Sequence, residues 1–337
     1  MLTHDNFPQS LKTDLKIAYT EGREAFSSAE YREMIQVVPT TSSAKTEVFY
    51  GNKPKLQRFR GERQPKVFNE YKQTLTLDDW ELTTTVKRQV LDDDQSGGFL
   101  RRKVTDFGNA TERSLKEETE RFLRDGVSVL GFDKTPFFNQ AHVYTDSSGV
   151  TRGTAWSNWN YGVSQLDATT LQKTEEHFAT LKGDDDEVLG MKLTHLVVKR
   201  GSNNHKTAKE LSNSQYTVEV STVKGAGTYN PFAGAFSIIP VDYGFGASEW
   251  AALDLSQSDM KPIKVLSHTI SPGFDSLEYT QLLEDSDTGF WRNEFAFGVF
   301  GRFDWNPGDP RTAYLYGSSA YSVTVDNERQ RILKPNA

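Results

Sequence analysis

"KPKLQRFRGERQPKVFNEYKQ", residues 53–73, holds seven Lys or Arg and only two acids, in a chain whose formal net charge is −7. It lies within two extended runs, "TEVFYGNKPKLQRFR" (46–60) and "PKVFNEYKQTLTL" (65–77). Gly61 and Pro65, around "GERQ", mark the turn between them. Charges fall on both faces of this hairpin, so it has no clean apolar side, and an isolated two-stranded ribbon is marginal in water. At about 3.3 Å per residue, an arm of roughly 14 residues reaches on the order of 45 Å. Two readings follow. The cations, with Phe59, Phe68 and Tyr71 interleaved, could track phosphates and stack on bases. Alternatively, the ribbon lies on acidic surface of another copy, in a chain with acids to spare. An unsupported hairpin fits the second better.

The rest of the chain bounds the answer. Its 337 residues suffice for two modest domains or one large one with excursions. With no cysteine there are no disulfides, thiolate zinc sites or thiol nucleophiles. "MLTHDNFPQSLKTDLK" has no apolar h-region, so a secretory signal is not expected. No apolar run approaches the roughly 20 residues of a membrane span. Net negative charge argues against coating nucleic acid over the whole surface, because such binding draws on many Lys and Arg contacts.

Leu11, Leu15, Ala18, Tyr19, Gly22 and Phe26 recur at helical spacing, with Ser10 as expected N-cap, in what reads as an extended arm containing a helix. "WELTTTVKRQVL" reads as extended. The clearest helix spans 97–127. Leu100, Val104, Phe107, Leu115 and Phe122 form its core stripe, while Glu112, Lys116, Glu117, Glu120, Arg121 and Arg124 are expected mostly elsewhere, paired at i,i+4. Such a helix is a beam of roughly 45 Å. A second helix is expected at 168–181 with Asp167 as cap, and a third in "NHKTAKELSNSQ". "MKLTHLVVKR", "FSIIPVDYG", "ASEWAALDLS", "KPIKVLSHTI" and "EFAFGVFGRFDW" supply strands. Without regular βαβ alternation, the class is α+β.

Chemistry finds no foothold. There is no phosphate-binding Gly-Lys-Ser/Thr loop and no Gly-x-Ser-x-Gly elbow. Gly244 and Gly246 are followed by Glu249 where a dinucleotide fingerprint needs glycine, so "GFGASEW" reads as a turn. Asp92–Asp94 and Asp184–Asp186 read as solvated caps or loops, since no calcium-loop spacing surrounds them. His4, His142, His177, His195, His205 and His268 form no metal-ligand pattern. No catalytic residue, metal or cofactor is expected, and the chain is read as a non-enzyme.

The order of these elements resembles the major capsid proteins of tailed phages, and within them the Mu-type major head subunit. The stretch from "EYREMIQVVPTTSSAK" through "LDDDQSGGF" is similar to that family's arm, extended loop and acid run. "FLRDGVSVLGFDKTPFFNQAHV", with Phe137, Phe138 and His142, resembles the segment after its long helix. "LGMKLTHLVVKRGSNNHKTAKELSNS", "EWAALDLSQSDMKPIKVL" and "FAFGVFGRFDWNPGDPRTAYLY" resemble later phrases. The resemblance covers roughly residues 11–316 and implies the Hong Kong 97-like capsid fold. Its expected parts are an N-terminal arm at 1–45, an extended loop at 46–80 and a peripheral domain at 81–164 with its spine helix. An axial domain at 165–290, return strands at 291–316 and a tail at 317–337 of open role complete the chain.

The cysteine of some relatives is replaced here by the Leu130-Gly131-Phe132 region. Lys53, Lys55, Lys66 and Asn139 match the Lys–Asn cross-link of some such capsids by type only, and no cross-link is predicted from them. The implied function is self-assembly, as pentamers and hexamers, into an icosahedral shell around double-stranded DNA, in a virion built in the host cytoplasm. The alternatives are an encapsulin-type compartment and a free nucleic-acid-binding protein. Expected contacts to other copies run through Lys53, Lys55, Arg58, Phe59, Arg60, Arg63, Lys66, Phe68 and Tyr71. Implied partners are further copies, portal, scaffold and decoration proteins, with DNA met only weakly and no membrane.

Overall fold

A computed structural model describes residues 7–26, 29–53, 56, 58–61, 63, 65, 68–89, 98–145, 149–162, 165–214, 216–217, 228–282, 293–317, 324–326 and 331–333. Helix α1 is Phe7–Phe26, followed by a 3₁₀ turn at Ala29–Met34, then β1 (Ile35–Thr40), β2 (Ala44–Tyr50), β3 (Glu70–Thr76) and β4 (Asp79–Lys87). The long helix α2 is Phe99–Arg124, ending in a 3₁₀ turn at Asp125–Val127. Next come β5 (His142–Thr145), β6 (Thr151–Trp156), β7 (Trp159–Tyr161), α3 (Ala168–Thr180), β8 (His195–Lys199) and α4 (Asn203–Asn213). β9 (Tyr216–Thr217) and β10 (Thr228–Tyr229) are a minimal pair, after which run β11 (Ser237–Val241), β12 (Trp250–Leu253), β13 (Ile263–His268), β14 (Glu278–Leu282), β15 (Glu294–Pro307) and β16 (Ala313–Gly317). A last pair, β17 (Thr324–Asp326) and β18 (Arg331–Leu333), is antiparallel.

Two five-stranded sheets organise the molecule. In the first, β15 is the spine. Its C-terminal part pairs with β13, which pairs in parallel with β1, while its N-terminal part lies between β14 and β4. Strict alternation makes this possible: Phe295, Phe297 and Val299 face α1 and α2, and Phe303 and Trp305 continue the same face into the main core. The second sheet has the order β11-β8-β12-β16-β7. Val197, Ala251 and Leu315 on one face join the core shared with Leu115 and Leu123 of α2. Leu196, Val198, Trp250, Ala252 and Tyr316 on the other meet Leu171 and Phe178 of α3 and Ala208 and Leu211 of α4. Both faces are buried, hence the unbroken "WAAL" of β12. The boundaries expected at 165 and 290 do not follow sheet membership, since β13 and β14 sit with β15, whereas β7 and β16 sit with β8.

Several local expectations are met in detail. Asp167 caps α3 reciprocally with Thr170, and α4 forms where a short helix was expected, with Ser202 as a cap the sequence reading did not name. Others are corrected. α1 starts at Phe7, so Ser10 lies inside it and is no cap. Along α1, Leu15, Ala18 and Tyr19 pack on Val104 and Phe107 of α2. The contact is close because glycines meet it from both sides. A Cβ at Gly22 would stand 2.1 Å from the Thr105 carbonyl oxygen, and one at Gly108 would stand 2.3 Å from that of Tyr19.

On α2, Val104, Phe107 and Leu115 are buried and Leu100 and Phe122 are partly buried against the cores. The charged residues are not where a one-sided amphipathic helix would put them. Glu112, Lys116, Glu120 and Arg124 are all buried, because α1, the 29–34 turn and the 242–249 loop cover more than one side of the helix. Asp184 is also buried rather than solvated, while the turn reading holds for Asp185 and Asp186. Asp92–Asp94 lie outside the described residues.

Candidate assembly interface

The root of the basic arm is a seven-pair antiparallel ladder from Ala44↔Thr76 to Tyr50↔Glu70. The arm is therefore shorter as a ribbon than its sequence implies: the described residues between 51 and 69 form no strand. β3 alternates cleanly, burying Tyr71, Gln73 and Leu75. This gives the ribbon an apolar side after all, and it rests on its own chain. Phe49 stacks on Phe132 at 5.1 Å, and Lys264 Nζ lies 4.5 Å from the Phe49 ring centroid while pairing with Glu47 at 3.3 Å. Burial would push the Glu47 carboxyl up, but Lys45 and Lys264 outweigh it and hold it below the ordinary range. Gln73 Nε2 donates to the Leu130 carbonyl at 3.1 Å.

Tyr71 is thus removed from the outward-facing set. It is 3% exposed, and its hydroxyl donates to Asp184 Oδ2 at 2.8 Å. Burial and then the Asp184 carboxylate push its phenol up, so it stays a donor. Gly51 closes the root: a Cβ there would sit 2.3 Å from Asp184 Oδ2, its N–H donates to Asn69, and its carbonyl accepts from Asp184 N–H. Lys53 is also held at home, donating to Gln257 Oε1 at 3.1 Å and to the Leu189 carbonyl at 3.4 Å. Trp80 belongs to the body, edge-on to Trp305 at 5.0 Å.

Beyond this root the chain projects into solvent. Leu56 is 104% exposed, Phe59 69% and Phe68 52%, with Phe68 edge-on to Tyr50 at 5.4 Å. Arg58, Arg60 and Arg63 have no ion pair among the described residues. Lys55 and Lys66 lie outside those residues. The result is a stiffly rooted projection ending in apolar and cationic side chains that the fold itself does not use.

The body beneath it is fastened by buried polar joints that local sequence reading does not find, since their partners are far apart in the chain. Glu112 accepts from Tyr31 at 2.6 Å, Arg32 at 2.7 Å and Arg23 at 3.1 Å. Burial opposes its charge, but these donors outweigh burial and hold the carboxyl low. Glu120 Oε2 accepts the backbone N–H groups of Asp242 and Tyr243, both at 2.8 Å, and Lys116 pairs with Asp242. Here burial wins, and the Glu120 carboxyl is raised. Arg124 makes a two-pronged pair with Glu249 at 2.8 and 2.6 Å.

Two of the histidines are held in polar pairs. His142 is buried between Asp133 at 2.6 Å and Asn158 at 2.9 Å, and His195 pairs with Glu33 at 3.0 Å. Among the described residues no group of His, Asp or Glu is placed to hold a metal ion. No described helix is long and apolar enough to cross a membrane.

Residues 9–165 match the family model described as the Mu-like prophage major head subunit gpT. No curated protein matches the sequence. Among solved structures, the procapsid of bacteriophage JBD30 contains a similar chain, 18% identical, with a TM-score of 0.51 over 95% of this chain and 77% of the other. The capsid of cyanophage P-SCSP1u contains another, 8% identical, with a TM-score of 0.52 over 86% and 88%. At these identities the likeness concerns the fold, which is that of phage capsid subunits.

Proposed function

We propose that this chain, whose residues 9–165 match the family model of the Mu-like prophage major head subunit, is the major capsid protein of a tailed phage. Copies join by head-to-tail contacts that close into pentamers and hexamers, and these tile an icosahedral shell around double-stranded DNA. Portal, scaffold and decoration proteins are its further partners, and assembly takes place in the host cytoplasm.

The observation that carries this reading is the rooted projection with Leu56, Phe59 and Phe68 in solvent. Burying each such side chain on a neighbour contributes about 1.5–3 kcal/mol before ordering costs. The arginines add about 0–1 kcal/mol per exposed pair, and serve mainly to steer and orient. A lattice repeats that contact at every subunit, so modest contributions accumulate. A net charge of −7 suits a container from which packaged DNA must leave.

The test is deletion of residues 53–66. The expected product is a folded, soluble subunit or capsomer that forms no shells by negative-stain microscopy, and normal particles would refute the role given to the projection. Nuclease-protected DNA inside wild-type particles separates a phage head from an encapsulin-type compartment. A free nucleic-acid-binding protein would instead stay small and bind DNA with steep salt dependence, lost on neutralising Arg58, Arg60 and Arg63.

A further inference from the structure

β4 is an open sheet edge nine residues long. Arg88 N–H donates to Asn293 and Asp78 accepts from Phe303, and the register between them is unbroken, so the even-numbered residues of β4 bond to β15. The odd-numbered residues therefore turn their backbone groups outward. Those of Glu81, Thr83, Thr85 and Lys87 make no backbone hydrogen bond among the described residues. Sheet edges of this kind are normally blunted by proline, bulges or inward charges. β1 and β11, two other edges, carry Pro39 and Pro240. β4, "DWELTTTVK", has no proline and no register shift.

Two further features sit on the same strand. Asp79 and Glu81, two residues apart, are exposed on its outer face, with one cation, Arg302, paired to Asp79 at 2.9 Å. On the other face Trp80 and Leu82 line an open pocket of about 260 Å³ with Leu115, Val299 and Phe303, and Thr111, Ser114 and Glu118 add polar groups to its wall. A strand complementary to this edge needs cations at i and i+2 with an apolar ring between them. The projection offers that order in Arg58, Phe59 and Arg60, which lie outside any strand and make no ion pair at home.

We propose that the outer edge of β4 is a strand-addition site for a second copy of this chain. The copy's Arg58–Arg60 segment pairs along it, with the two guanidiniums toward Asp79 and Glu81 and Phe59 in the pocket beside Trp80. This rests on the capsid reading and specifies where the projection lands.

Hydrogen exchange tests it on intact particles against dissociated subunits. The amides of Glu81, Thr83 and Thr85 are expected to slow by about tenfold or more on assembly. Thr83→Pro removes an outward donor without touching the ladder to β15, so the subunit is expected to fold and particles to be lost. Glu81→Arg is expected to abolish particles, and adding Arg60→Glu to restore them. The chain has no cysteine, so Glu81→Cys combined with Arg60→Cys is expected to give subunits linked by disulfides on a non-reducing gel. Particles in which these amides remain unprotected overturn the site while leaving the capsid reading intact. Protection that appears only when a different virion protein is added overturns the second copy as occupant. Failure of wild-type chains to form any particle would instead refute the capsid reading.

Discussion

Gly22→Ala sets two opposed effects against each other at the α1–α2 contact. In a helix interior the substitution gains about 1 kcal/mol from propensity alone. Here the new Cβ would lie 2.1 Å from the Thr105 carbonyl oxygen, against at least 3.4 Å for ordinary contact. The obstacle is backbone, so no rotamer relieves it, and the helices must part by more than an ångström. That loosens Leu15, Ala18, Tyr19, Val104 and Phe107 together. Overpacking of this kind costs about 1–3 kcal/mol, and a backbone obstacle at 2.1 Å puts this contact in the upper part of that range, so the net expectation is destabilisation by about 1–2 kcal/mol. Gly108→Ala, on the facing helix, is expected to behave alike. The double variant should cost much less than the sum, because parting the helices once accommodates both methyls. Urea unfolding of the dissociated subunit, followed by circular dichroism, measures all three. A more stable Gly22→Ala variant, or full additivity of the two, would refute the close-contact argument.

Arg124→Met leaves the Glu249 carboxylate buried without its two-pronged partner and is expected to cost about 3–5 kcal/mol, with Glu249→Met in the same background recovering most of it in urea midpoints. Burial pulls the His177 imidazole down to about 4 from an unfolded value of 6.5. Protons therefore favour the unfolded chain. The contribution is full above pH 6.5 and is lost as pH falls toward 4, by at most about 3 kcal/mol. His177→Leu should flatten the difference in unfolding midpoint across that window relative to the parent, and an unchanged slope would sink the assignment. Tyr71→Phe deprives Asp184 of its hydroxyl donor and is expected to cost about 1–3 kcal/mol, read as a lower melting temperature of the subunit.

What could be seen in the sequence was what depends on neighbours along the chain. The apolar stripe of α2 and the Asp167 cap fall into this class, as does the cationic segment at 53–73, because spacing or composition alone defines each. Glu112, Lys116 and Arg124 were hidden because charges at i,i+4 look the same whether solvated or buried. Their burial is decided by Arg23, Arg32, Asp242 and Glu249, all distant in sequence. The projection divided the same way. Its exposed tip was legible from charge, whereas Tyr71 was misplaced because its partner, Asp184, lies 113 residues on.

β15 has a consequence for how such a subunit can deform. Fourteen residues run without interruption, first between β14 and β4 and then beside β13. Sliding either set of neighbours by one position would turn every inward ring of that half toward water. The two halves are thus yoked as one inextensible tie-rod, roughly 45–50 Å long. A pull applied at one end of the rod is carried to the other along a single unbroken strand.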